Sequence, residues 1–271
     1  MSLLVTLKEH TALLAKQKAG GGPLELSLDL DQSKTTVTAK ANCWVVGDIE
    51  YPYLDVCKDN TVYQWTDDDF TPVARFTKSL IKLVPTSWGP PTFQIDGIKM
   101  LPTAHTCPFA DAERKVGLIA PRGKVILDTC GGLGYFAAWC LKGEAKKIVS
   151  TEKNPDVLWL REVNPWSPKA GGRLDLRHGD ISVDITKMAT GSFDAALHDP
   201  PRFGIAGELY SQVFYDHLAR VLKPKGVLFH YTGSPNKLTS GRDVPNEVTQ
   251  RLRRAGFNTR LEGDGVFANK K

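Results

Sequence analysis

Apolar and polar residues alternate strictly at 24–30 (LELSLDL) and again at 35–41, where Thr36, Thr38 and Lys40 take the polar side. A period of two is that of a half-buried strand. Shorter strand-like runs follow at 43–46 and 61–65. Turn chemistry separates these runs: Gly47-Asp48, Lys58-Asp59-Asn60 and Asp67-Asp68-Asp69. Ahead of them, residues 3–18 read as a short helix with Leu3, Leu7 and Leu14 on one face, and AGGGP at 19–23 ends it as a linker. Together they predict a small β-rich N-terminal domain over 1–104, closing near Leu101-Pro102.

Beyond Asp111 the pattern changes. Apolar strand-like runs at 125–127, 147–150, 174–177, 193–197 and 227–231 alternate with helical stretches at 135–141, 156–163 and 210–222. In the last stretch Tyr210, Val213, Phe214, His217, Leu218 and Val221 share a face. Strands separated by helical crossovers make a parallel sheet. The chain ends on strand-like 257–261, a turn at Gly263-Asp264-Gly265, and 266–268, which reads as an antiparallel hairpin. The expected fold over 113–271 is α/β: doubly wound, with a mostly parallel seven-stranded sheet and a C-terminal antiparallel hairpin.

Composition narrows the setting. No apolar run reaches the length of a membrane span, and Leu3, Leu4, Val5 and Leu7 are too few for a secretory h-region. Five cysteines without a C-x-x-C pair argue against a disulfide framework, a zinc knuckle or another metal site, so a cytoplasmic protein is expected. Net charge is +5 but unevenly spread: −3 over residues 1–112 and +8 over 113–271. A basic C-terminal part leans toward a polyanion, though the charges are scattered and also read as a solvated face.

Candidate chemistry lies where strands end. VILDTCGGLGYF at 125–136 is a strand, a glycine-rich turn and a helix start. The glycines let backbone approach a ligand, and the helix start offers free N–H groups. Glu152, at the end of the next strand and 20 residues past Gly132, is placed to bind ribose hydroxyls. Gly132-x-Gly134-x-x-Ala137 also satisfies a nicotinamide dinucleotide fingerprint. Asp128, ahead of the glycines, would repel a pyrophosphate but hold an amino group. Asp180 could accept from an adenine amine, or simply cap a helix.

The stretch from Asp128 to Gly134 resembles the first motif of class I (Rossmann-like) S-adenosylmethionine-dependent methyltransferases, with Cys130 at the family's usual first glycine. Glu152 resembles their ribose-binding acid and Asp180 their adenine-binding acid. The likeness covers about residues 113–271. It implies S-adenosyl-L-methionine as cofactor, held by Asp128, Cys130, Gly131, Gly132, Gly134, Tyr135, Glu152, Asp180 and Asp199.

HDPPRFG at 198–204 follows a strand, at the sheet edge where open α/β folds bind ligands. It resembles the D/N-P-P motif of methyltransferases that act on nucleic-acid bases. Asp199 and the Pro200 carbonyl can accept hydrogen bonds from an amine, and Pro200 and Pro201 stiffen the loop. Asp199, Pro200 and Pro201 are therefore the catalytic candidates. Arg202, Phe203 and, in the loop 234–244, Arg242 are the substrate-side candidates, although Phe203 fits equally well as a buried ring and the loop, with Lys237, as plain solvated chain. The D-P-P-R form is also similar to enzymes that methylate C5 of uracil through a cysteine, but no cysteine follows Cys140. LKPKGVLFHYTG at 222–233 resembles the class's glycine turn and fifth strand, with Lys225 at the first glycine. Trp166 reads as core.

The whole pattern resembles a mostly archaeal group of predicted methyltransferases with the D-P-P-R motif, some labelled spermine-synthase-like, a resemblance that names chemistry better than substrate. Methylation of an amine or base nitrogen is expected, with RNA (tRNA or rRNA) the favoured substrate from the +8 balance and the likeness at Asp199, and with Arg251, Arg253, Arg254 and Arg260 as candidate phosphate contacts. Small-molecule N-methylation and aminopropyl transfer are the alternatives. The motif window holds only two acids, Asp194 and Asp199, with Arg202 beside the second, which is a poor match to a polycation. A binding module without catalysis is a third reading, against which stand all the acids.

Overall fold

The computed structural model describes residues 3–233 and 243–271. Internal contacts divide the chain into two units. One runs to Phe109 and includes Trp159–Trp166; the other comprises Ala110–Leu158 and Ser167–Lys271.

The first unit is antiparallel. Strand β1 (Leu4–Val5) precedes helix α1 (Leu7–Lys18), followed by β2 (Gly22–Leu26), β3 (Thr35–Ala39), β4 (Cys43–Val46), β5 (Ile49–Pro52), β6 (Tyr63–Thr66), β7 (Asp69–Pro72), β8 (Ala74–Phe76), β9 (Leu80–Val84), β10 (Thr92–Ile95) and β11 (Ile98–Lys99). They form three sheets, ordered β1-β6-β7, β2-β3-β4-β5 and β11-β10-β9-β8. Val5, Leu13, Leu26, Val37, Trp44, Tyr51 and Phe70 build its core, with the Trp44 and Tyr51 rings stacked at 4.8 Å. As the alternation predicts, Val37 and Ala39 are buried while Thr36 and Thr38 are exposed.

Two expectations here need correction. The helix starts at Leu7, not at residue 3, because Thr6 and Glu9 form a capping box at its N-terminus. Its buried positions are Glu9, His10 and Leu13, whereas Leu7 is exposed and Leu3 and Leu14 are only half-buried. The alternating run 24–30 is a strand only to Leu26. Ser27 turns inward to accept from the Asp31 N–H at 2.7 Å, Asp29 accepts from the Gln32 and Ser33 N–H groups, and Leu30 and Asp31 are left-handed. The side-chain turn outcompetes the ladder.

The second unit is the expected α/β fold. Helix α2 (Pro108–Ile119) leads into it, its first two residues belonging to the first unit. Then come β12 (Val125–Asp128), α3 (Tyr135–Lys142), β13 (Lys147–Glu152), α4 (Pro155–Val163), β14 (Leu174–His178), α5 (Ile181–Lys187), β15 (Phe193–His198), a 3-10 turn (Gly207–Tyr210), α6 (Gln212–Val221), β16 (Leu222–Tyr231), α7 (Val244–Arg254), β17 (Phe257–Glu262) and β18 (Gly265–Lys270). The seven-stranded sheet runs β14-β13-β12-β15-β16-β18-β17. Its first five strands are parallel, and β18 is antiparallel to both β16 and β17. Strand order reverses between β12 and β15, the switch point that opens a crevice at the carboxyl ends. On the sheet's two sides pack one cluster around Ile126, Ile148, Leu197 and Phe229, and another around Leu127, Phe214, Leu218 and Val248.

On α6, which Ser211 caps, the buried residues are Phe214, Tyr215, Leu218, Ala219 and Val221; Val213 is exposed because it lies across the helix from the middle of that face. The 222–226 turn is absorbed into β16, where Lys225 takes φ 63° in place of a glycine. Gly226 is required there: a Cβ would lie 2.8 Å from the Lys223 carbonyl oxygen.

Candidate active site

The glycine loop leaves β12 at Asp128. That carboxylate is buried and accepts the Ser150 hydroxyl at 2.7 Å, under the loop rather than on its surface. The Thr129 N–H extends the pairing to the Leu197 carbonyl at 3.1 Å, and the Gly131 N–H bonds the Thr151 carbonyl at 2.8 Å. Gly132 and Gly134 have φ of 48° and 81°, which only glycine adopts readily, whereas Cys130 does not have positive φ and so tolerates its side chain. Gly134 caps α3 without any side-chain acceptor for the first-turn N–H groups, and Tyr135 is buried at the helix start.

Glu152 braces this loop. One carboxylate oxygen accepts the Gly132 N–H and the other the Asn154 N–H, each at 2.9 Å. Burial pushes the Cys130 thiol well above its ordinary value, and the carboxylates of Glu152, Asp128 and Asp199 around it push the same way. The thiol stays protonated, so it is no nucleophile.

The second loop leaves β15, the strand beside β12. His198 is buried and clamps both ends of it. Its Nε2–H donates to the Leu209 carbonyl at 3.0 Å, which leaves Nδ1 to accept the Thr129 hydroxyl at 2.7 Å. Burial pulls the imidazole down to about 4, so it is neutral. The His230 ring meets it edge-on at 4.4 Å, and burial followed by the His198 neighbour lowers His230 well below its ordinary value. His230 accepts the Tyr215 hydroxyl at 3.0 Å and donates to the Tyr231 carbonyl at 2.9 Å.

Asp199 follows His198, half-buried. The ammonium of Lys115, itself 1% exposed, lies 3.4 Å from its Oδ2, 2.8 Å from Asp111 Oδ2 and 3.7 Å above the Tyr231 ring. Burial pulls Lys115 down, yet Asp199 and Asp111 together leave it raised. Burial raises the Asp199 carboxyl, and Lys115 reverses that only in part. Tyr231 is pushed up to about 12, by burial and then by Asp199. Arg114 ties Asp111 at 2.9 Å to Asp264 in the β17–β18 turn at 2.7 Å.

The fold thus brings Asp128, Cys130, Gly131, Gly132, Gly134, Tyr135, Glu152 and Asp199 to the carboxyl ends of neighbouring strands. Asp180 follows β14 and is the N-cap of α5, accepting the Ser182 N–H at 2.9 Å and pairing with Lys153 at 2.7 Å. Burial raises it, but Lys153 and Ser182 outweigh that and leave it lowered. Pro200 is buried. Pro201 and Arg202 are exposed, and the Pro201 carbonyl accepts the Tyr210 hydroxyl at 3.1 Å. Phe203 is half-buried, edge-on to Tyr210 at 5.5 Å. Arg242 and Lys237 lie outside the described residues.

Of the C-terminal arginines, Arg251 reaches the Tyr210 carbonyl and Glu247, Arg253 bonds Thr259, and Arg260 bonds Glu262. Trp166 is half-buried, its indole N–H on the Leu30 carbonyl at 2.8 Å. Among the described residues no cluster of three or more His, Cys, Asp or Glu is set to hold a metal ion, and no helix is long and apolar enough to cross a membrane.

Sequence reasoning missed Lys115 and the role of His198. The signal for Lys115 existed: Phe109, Ala112, Val116 and Ile119 recur at helical spacing and are buried, and Asp111 to Lys115 is an i,i+4 ion pair on that helix.

No family model matches the chain. A solved spermidine synthase in complex with the transition-state analogue AdoDATO is similar over 73% of each chain, with TM-score 0.59 and 17% identity. An S-adenosylmethionine-dependent methyltransferase of Mesorhizobium loti matches 59% of this chain and 96% of its own, with TM-score 0.44 and 15% identity. In sequence, the uncharacterized protein MJ1233 of Methanocaldococcus jannaschii is 36% identical over 269 residues, which is 95% of this chain and 92% of that protein. Over nearly its whole length, the chain belongs to the same family as this M. jannaschii protein.

Proposed function

We propose that the second unit binds S-adenosyl-L-methionine and transfers its methyl group to an amine or base nitrogen, with RNA as the favoured substrate. The observation that carries this reading is the adjacency of two built loops at the switch point: the glycine loop braced by Glu152, and the Asp199 loop clamped by His198.

Three features support the cofactor: the Glu152 carboxylate at the end of β13 beside the glycine loop, suited to ribose hydroxyls; Asp180, suited to an adenine amine; and the N-terminus of α3, where Gly134 supplies no side-chain cap. Bound there, the cofactor supplies an electrophilic methyl group on a sulfonium. The chain supplies orientation. Asp199 and the Pro200 carbonyl accept from the acceptor nitrogen, which directs its lone pair and stabilises the positive charge that grows on it. Lys115 favours the charged form of Asp199 against the burial that opposes it. The Cys130 thiol, raised by its burial, is ill suited to covalent attack on a base.

Support for RNA is the +8 balance of residues 113–271 and the exposure of Arg202 and Arg254. Arg251, Arg253 and Arg260 also make hydrogen bonds within the fold, and Arg253 and Arg260 are exposed. Aminopropyl transfer is the second reading, favoured by the spermidine synthase likeness, which extends over 73% of the chain. Incubation with methyl-labelled cofactor and total RNA should label RNA at low salt and release S-adenosylhomocysteine. Release of methylthioadenosine from decarboxylated cofactor, with RNA unlabelled, would instead establish aminopropyl transfer. Label in neither RNA nor amine would refute both readings.

A further inference from the structure

We propose that Lys115 is a resident cation that fills the cation-binding corner beside Asp199, and so reserves the acceptor side of the site for an uncharged nitrogen. The inference rests on the reading that Asp199 faces the acceptor.

Two carboxylates and an aromatic face are the set that recognises a substrate ammonium. Here Asp111 Oδ2 at 2.8 Å, Asp199 Oδ2 at 3.4 Å and the Tyr231 ring at 3.7 Å all converge on the Lys115 ammonium, with the Phe136 ring 5.6 Å away. The order of burial matters. Lys115 is 1% exposed, while the Asp199 side chain is 20% exposed, so the cation lies behind the carboxylate that meets the outside. The remaining acid in the corner is also matched: Arg114 bridges Asp111 and Asp264. Three acids meet two cations, and the net of one negative charge gives little attraction for a polyamine. Asp199 keeps acceptor capacity toward the open side, and the partner that uses it best donates a hydrogen bond without bringing its own charge: a neutral amine or a base nitrogen. Lys115 touches no reacting atom in this arrangement. It is a positioning and specificity-determining residue.

The groups facing Asp199 are Lys115 and Asp111 of α2, Tyr231 of β16, Asp264 of the β17–β18 turn and Cys130 of the glycine loop. Removing Lys115 takes away the nearest positive charge among them. The test titrates spermidine into the full-length protein in the presence of S-adenosylhomocysteine, comparing wild type, Lys115→Met and Lys115→Arg. Wild type and Lys115→Arg should show no saturable binding, and Lys115→Met should gain at least tenfold in affinity. In parallel, the carboxyl carbon resonance of Asp199 should titrate at a midpoint about one pH unit or more higher in Lys115→Met than in wild type. If Lys115→Met does not fold, Lys115→Ala with butylamine replaces it: the amine should raise the melting temperature of the variant and not that of wild type. Spermidine binding of equal strength in wild type and Lys115→Met overturns the proposal, as does an unmoved Asp199 midpoint or an absence of amine rescue. Failure of wild type to bind S-adenosylhomocysteine would overturn the group-transfer reading instead, since the Asp199 midpoint reports on Lys115 without any cofactor.

Discussion

Glu152 joins the loop's architecture to the proposed ligand chemistry, so its replacement tests both. In the wild type its two carboxylate oxygens accept the Gly132 and Asn154 N–H groups at 2.9 Å. A hydrogen bond to a charged group is worth about 1.5–3 kcal/mol when buried. Glu152 is half-buried, so water replaces part of what is lost, and Glu152→Ala should destabilise the fold by about 2 kcal/mol in all. Glu152→Gln keeps one oxygen acceptor and points its amide donors at the other N–H, so it should fall between. The cofactor's ribose hydroxyls would use the same oxygens, and their loss should weaken binding at least tenfold, or about 1.4 kcal/mol. Urea denaturation gives the first quantity, and calorimetry with S-adenosylhomocysteine on the folded variants gives the second. Wild-type affinity in a folded Glu152→Ala protein would refute the ribose assignment, and unchanged stability would refute the brace.

Asp199→Ala should leave cofactor affinity nearly intact while single-turnover transfer falls by roughly 10²–10³, and Asp199→Asn should be milder because its amide oxygen still accepts; a stable Asp199→Ala enzyme with an undiminished rate would rule out the role. The neutral histidines predict acid sensitivity. His198 in the fold titrates at about 4 against an ordinary 6.5, so the unfolded chain binds a proton there that the native state refuses. Its stabilising contribution is complete above 6.5 and is lost as pH falls from 6.5 toward 4, by at most about 3 kcal/mol, and His230 adds in the same direction. Urea midpoints at pH 7 and pH 5 should diverge more for wild type than for His198→Asn, and equal divergence would contradict the buried neutral state.

What was legible in the sequence is what is local. Strand alternation survives at Val37 and Ala39, and the glycine loop declares itself because Gly132 and Gly134 sit where φ is positive. The C-terminal hairpin follows from its turn residues. Misreadings arose where a side chain overrides a period. The capping box of Thr6 and Glu9 shifts the first helix, and the inward turn of Ser27 and Asp29 ends the first long alternation. Helix α7 is not announced by the sequence pattern, because its start falls in the stretch that reads as loop, although Asp243 caps it. The chemistry around Asp199 was half-legible. The motif itself is contiguous, but Lys115 is 84 residues away, and only the folded sheet edge joins them. His198 was visible within the motif, yet its clamp depends on a backbone carbonyl, which no side-chain pattern records.

The division of the chain has a consequence for inheritance. Trp159–Trp166 belongs to the first unit, where the Arg75 guanidinium lies 3.7 Å over the Trp159 ring, the Trp166 indole bonds the Leu30 carbonyl and the Gln32 amide reaches the Pro165 carbonyl at 2.6 Å. The second unit is therefore interrupted in sequence by a piece of the first. A single crossover between genes cannot exchange one unit without part of the other: any break between residues 109 and 159 parts Trp159 and Trp166 from Arg75 and Leu30.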